Sequence, residues 1–274
     1  MSEINIQNTK EYDNEEKETQ QSKIEAQKKL IYDKTVTCPI CQNTFKAKAV
    51  KTSAYRVQKK DPDFFIRYLR INPYFYDVWV CNDCGYSLIK SDFPKIRKYQ
   101  IDAIKEKITP KWHSRTYPDV YNVDTAIERY KLSLINYHAM DAKASQKAMN
   151  TLKLAWMYRI LDDKKNESNF LKQTLENFNY SYSNENFPIC GMDQYTFEYL
   201  LGELNMKLKN TDEALKWFGN VITGIGTPYK IKDMAISQKD IINKMLNPKK
   251  DNISTDTQKN HNSNNKGFLS NLFK

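Results

Sequence analysis

The sequence predicts a mainly α-helical fold with a small β-rich head, and three observations carry that expectation. Beyond about Asp92 the apolar residues recur with helical period, before it three short stretches alternate with period two, and two Cys-x-x-Cys pairs bracket those three stretches. A chain of 274 residues is long enough for one large domain or two modest ones.

Residues 1–34 hold few aliphatics, the best being Ile24, Leu30 and Ile31, and read as a polar N-terminal arm. They are charged where a signal peptide is apolar, and no apolar run approaches the roughly 18 residues of a membrane span, so a cytoplasmic protein is expected. The net charge of +10 is unevenly spread: residues 35–115 carry 16 Lys and Arg against 7 Asp and Glu, whereas residues 116–248 balance at 16 each.

The head is expected over 35–112. In "NTFKAKAV", Phe45, Ala47 and Ala49 alternate with Lys46 and Lys48, and "SAYRVQ" and "FYDVWV" repeat the style, which predicts three short antiparallel strands. Pro62 and Pro73 fall between them, where a missing N–H breaks no ladder.

A helical domain is expected over 113–247. Ala126, Ile127, Tyr130, Leu134 and Tyr137 share one face of a first helix that Asp124 can cap. Five more helices follow at about 144–162, 166–182, 193–209, 211–224 and 230–247, separated by breakers such as "DDKKNE" and "GIGTP". Within them Leu201, Gly202, Ala214 and Phe218 match the spacing of the tetratricopeptide repeat, in which small residues let two antiparallel helices approach. Glu198, Asn205 and Val221 depart from that pattern, and Leu154, Ala155, Tyr158 and Leu171 echo it weakly upstream. The expectation is therefore an array of α-hairpins. Residues 248–274 read as a tail closing on Phe268, Leu269, Leu272 and Phe273.

Cys38-Pro-Ile-Cys41 and Cys81-Asn-Asp-Cys84 each aim two sulfurs at one point, and together they offer the four ligands of a tetrahedral zinc site. Gly85 after the second pair suits the positive φ of such a knuckle; Gln42 stands in the matching place after the first. The 39-residue spacer is long, yet doubling a loop costs only about 0.6 kcal/mol. A structural zinc contributes on the order of 10 to 16 kcal/mol. Four thiolates leave no position for a reactive water, so structural zinc leads over a redox dithiol or bound iron. Cys190 reads as an unpaired thiol and His113, His138 and His261 as ordinary helix or surface residues.

The succession "CPIC", "KDPDFF", "NPYFYDVWVCNDCGYSLIKSDF" and then tetratricopeptide-like helices resembles a bacterial family classified only as a domain of unknown function. The resemblance covers most of residues 35–225 and implies a zinc-ribbon-like head held by Cys38, Cys41, Cys81 and Cys84. The resemblance implies a further cysteine at the position where this chain has Phe65, so neither a fifth ligand nor a catalytic thiol is expected there.

Two functions compete. One is a non-enzymatic scaffold whose helical array takes a protein or peptide partner; the sequence has no Gly-rich phosphate loop, HExxH or nucleophile–base pair. The alternative is nucleic-acid binding by the head, where Arg56, Lys59, Lys60, Arg67 and Arg70 interleave with Tyr55, Phe64, Phe65, Tyr68, Tyr74 and Phe75. Those rings also fit the core of a small sheet with the cations on its wet face, and that reading leads.

Overall fold

A computed structural model describes residues 21–247. The first 20 residues of the arm and the tail 248–274, with His261 and the apolar Phe268, Leu269, Leu272 and Phe273, lie outside the described residues. Helix α1 is described over residues 21–28.

Six strands follow, paired as three separate antiparallel ribbons. They are β1 (Ile31–Thr37) with β2 (Thr44–Val50), β3 (Val57–Lys60) with β4 (Ile66–Tyr68), and β5 (Val78–Val80) with β6 (Ser87–Ile89). This corrects the expectation of three strands. Alternation marks β2 because Phe45 and Ala47 pack into the cysteine-side cluster while Thr44 and Lys46 are exposed, but β1 buries only Ile31 and Val36, and β4 and β6 are three residues long, too short to show a period.

The helices are α2 (Lys98–Lys107), α3 (Val123–Ala139), α4 (Ala144–Ile160), α5 (Lys164–Asn184), α6 (Gln194–Lys207), α7 (Thr211–Thr223) and α8 (Tyr229–Leu246). Among the described residues none is long and apolar enough to cross a membrane. The six helices expected beyond residue 113 are all present. Helix α2 was not expected, because its ten residues bring few apolar side chains and only Gln100 and Ile104 are buried. The cap of α3 is Asn122, whose side chain accepts from the Thr125 N–H, rather than Asp124, which sits inside the first turn. Asp163 and Asp193 cap α5 and α6 in the same way. After α3, α4 and α6 the chain turns through a left-handed residue, Asp141, Asp162 and Lys209, which closes the helix end without a glycine.

The ribbons do not sit apart from the helices. One buried cluster joins Phe65, Val78, Val80 and Ile89 to Tyr130, Leu152, Trp156, Leu171, Phe197 and Leu201. A second joins the cysteines, Trp79, Tyr86 and Phe93 to Ile104 of α2 and Tyr137 of α3. Further along, a Cβ on Gly202 of α6 would lie 2.6 Å from the Phe218 ring of α7, so the missing side chain is what lets these two helices close.

Candidate metal centre

Two turns with the same hydrogen-bond pattern present the cysteines. Cys38 N–H donates to the Asn43 carbonyl (2.9 Å) and Gln42 N–H to the Cys38 carbonyl (2.9 Å); Cys81 N–H donates to Tyr86 (2.8 Å) and Gly85 N–H to Cys81 (2.9 Å). The pattern forces a left-handed residue directly after the second cysteine of each pair, and φ is +65° at Gln42 and +79° at Gly85. Gln42 accepts that conformation while its side chain donates to the Pro39 carbonyl at 3.1 Å. A backbone N–H, that of Ile40, donates to the Cys38 sulfur at 3.4 Å.

The second knuckle is held from outside. Trp112 lies against Gly85, where any Cβ would come within 2.6 Å of its ring, and Trp112 Nε1 donates to the Asn82 carbonyl at 2.8 Å. Thr109 Oγ1 donates to the Cys84 carbonyl at 3.2 Å, and both Ser87 Oγ and Asn136 Nδ2 donate to the Gly85 carbonyl. Residues from the α2–α3 connection and from α3 thus fix a turn that lies far from them in sequence.

The structure brings all four predicted cysteines together. Sγ of Cys38 and Cys84 are 3.6 Å apart, as are those of Cys41 and Cys81, and all four sulfurs lie within 4.8 Å of one another. A disulfide needs about 2.05 Å, so none is formed. The edge of a sulfur tetrahedron around zinc is about 3.8 Å for bonds of about 2.3 Å, so donor number, donor type and spacing fit a tetrahedral dication. Cys38, Cys81 and Cys84 are buried and Cys41 half-buried, within the aromatic cluster of Trp79, Tyr86 and Phe93. Four sulfurs this close cannot all carry charge unaided. Hydrogen bonds from Cys38 and Cys84 pull the Cys81 thiol well below its ordinary value, and the contact with Cys81 pushes Cys38 up. A central cation removes that asymmetry by stabilising every thiolate.

Among the described residues no other group of His, Cys, Asp or Glu converges in this way. His113 and His138 are exposed and Cys190 donates its thiol to the Ser145 carbonyl at 3.4 Å.

The basic aromatic segment is arranged differently from the cysteines. Phe65 is fully buried and stacks on Trp156 with centroids 5.3 Å apart, Tyr74 packs against both, and Tyr68 packs on Tyr55 and Tyr74. Arg67 pairs with Asp61 at 2.9 Å, and Arg56 donates to the Ser53 and Tyr55 carbonyls. Lys59, Lys60 and Arg70 are exposed.

Sequence reasoning missed a buried ionic hub. Arg159 Nη1 and Nη2 donate to Asp63 at 3.0 and 2.6 Å, Nη1 also to Asp61 at 3.3 Å, and Nε to Glu167 at 2.6 Å. Trp156 Nε1 donates to Asp63 at 3.1 Å. The available signal was a pair of aspartates inside an otherwise cationic segment.

A family model described as an uncharacterized protein conserved in bacteria (DUF2225) matches residues 31–242. No curated protein and no solved structure matches the chain.

Proposed function

The chain belongs to this uncharacterised bacterial family, and from that premise we propose that it is a non-enzymatic scaffold: a structural zinc ties together a ribbon-like head, and a tetratricopeptide-like helical array offers a surface to a protein partner. The observation that carries the reading is the closed set of four buried or half-buried cysteine sulfurs, converging within 4.8 Å with no fourth position left for water. Cys38, Cys41, Cys81 and Cys84 would hold the ion, and its contribution is charge and cross-linking rather than a reactive water. The close approach of α6 and α7 at Gly202 and Phe218, with Ala214 buried beside them, supports the repeat-like array. Reduced thiols at all five cysteines suit a cytoplasmic setting.

Metal analysis of the purified full-length protein tests the first half: one zinc per chain and no colour are expected, and a coloured iron protein or a folded metal-free one overturns it. Affinity capture with the intact chain tests the second half. A specific protein recovered reproducibly is expected; repeated recovery of none removes the scaffold role.

A further inference from the structure

The hairpin tip Asp61-Pro62-Asp63-Phe64-Phe65 sits across three successive helices of the array. From α4 come Trp156 and Arg159, from α5 Glu167, and from α6 Tyr199 and Lys207. Asp63 is wholly buried yet lies in a loop, and all its partners belong to the helices: Arg159, Trp156 Nε1 and, at 4.0 Å, Lys207. Phe64 packs on Tyr199 with centroids 5.5 Å apart, and Phe65 on Trp156. Arg159 and Lys207 of the helices meet Asp61 and Asp63 of the tip, while Arg67 pairs with Asp61 inside the hairpin and Glu167 with Arg159 inside the helices, so Asp63 is the carboxylate whose charge is met wholly across the contact.

Behind the tip the hairpin is weakly supported. Strand β3 is exposed at every position and pairs only with β4, and a two-stranded ribbon is marginal by itself. Phe64 holds φ at +67°, a conformation that L residues other than Asn and Asp rarely adopt. A hairpin whose outer strand is exposed, ending in a left-handed tip that makes charged and aromatic contacts to another part of the fold, has the chemistry of a bound peptide.

We infer that the helical array carries a groove for a segment with two carboxylates and adjacent aromatic rings, and that the chain's own residues 61–65 fill this groove in cis, as a plug which a partner segment of the same chemistry displaces. This rests on the scaffold reading and names the chemistry of its partner.

The probe is a labelled peptide of residues 59–68, KKDPDFFIRY, titrated by fluorescence anisotropy with the full-length chain. Wild type is expected to bind weakly because the tip competes. The Asp63→Ala, Phe64→Ala double variant, which removes two of the tip's contacts and changes no helix residue, is expected to bind at least tenfold more tightly, and adding Lys207→Glu is expected to reverse that gain. Arg67→Ala, which loosens the tip through Asp61 and the Phe65 ring, is expected to give a several-fold gain and carries the test if the double variant fails to fold. A folded double variant, or Arg67→Ala in its place, that binds no better than wild type overturns the inference. Partner capture by the intact chain alongside such a failure leaves the scaffold standing and removes only the plug.

Discussion

Gly85 and Gln42 hold the same place in two matching turns, but their surroundings make them unequal. At Gln42 a glycine relieves the left-handed conformation but gives up the exposed hydrogen bond from the side chain to the Pro39 carbonyl, so Gln42→Gly is expected to lie within about 1 kcal/mol of neutral. At Gly85 the Trp112 ring fills the space of a Cβ, so Gly85→Ala adds a displaced indole to the backbone strain and is expected to cost roughly 2 to 3 kcal/mol. Urea unfolding of the two variants checks the contrast, and equal effects would contradict it. A second residue-scale expectation concerns Glu203, a buried carboxyl that accepts from the Tyr199 hydroxyl at 2.8 Å. Burial pushes its pKa up from 4.5 to about 7. The folded state therefore binds this proton more tightly than the unfolded chain does. The associated stability is fully present below pH 4.5 and is lost as pH rises through 7, a change on the order of 3 kcal/mol. Glu203→Gln keeps the acceptor and has nothing to ionise, so its stability relative to wild type is expected to rise between pH 5 and pH 8. A constant difference would show that Glu203 titrates normally.

At the scale of elements, the close approach of α6 and α7 depends on one absent side chain. Gly202→Val would drive a branched side chain into the Phe218 ring, and overpacking of this kind costs about 1 to 3 kcal/mol. Gly219 of α7 has nothing within 4 Å of its notional Cβ, so Gly219→Ala is expected to stabilise by up to about 1 kcal/mol through helix propensity. Thermal unfolding of the pair separates packing from propensity. The six later helices were legible because each runs 13 to 21 residues and shows several turns of periodicity. Strands β1, β4 and β6 and helix α2 were not, since β4 and β6 are three residues long and what orders Leu88, Ile89 and Ile104 is their packing in clusters built with residues distant in sequence.

For the whole molecule, the cysteine cluster and the helices share their packing. Ile104, Tyr137 and Met140 lie in one buried cluster with Cys38, Cys81 and Cys84, and the ribbon residues Val78 and Ile89 lie in another with α4 and α6. Loss of the ion is therefore expected to reach beyond the head. Cys81→Ser should abolish stoichiometric metal binding and lower Tm by on the order of 10 °C, with the near-ultraviolet signal of Trp79 and Trp112 reduced. An unchanged Tm with metal lost would show that the thiols are dispensable for the fold.

The sequence by itself determined the class of the fold, the six long helices, and which four cysteines could meet, because periodicity and a two-residue spacing are local properties of the chain. Tertiary structure alone decided that Trp112 closes over Gly85, and that Asp61 and Asp63 travel roughly a hundred residues along the chain to find Arg159. A buried charge is tolerable only where a partner of opposite sign waits, and which partner waits is set by how the helices pack.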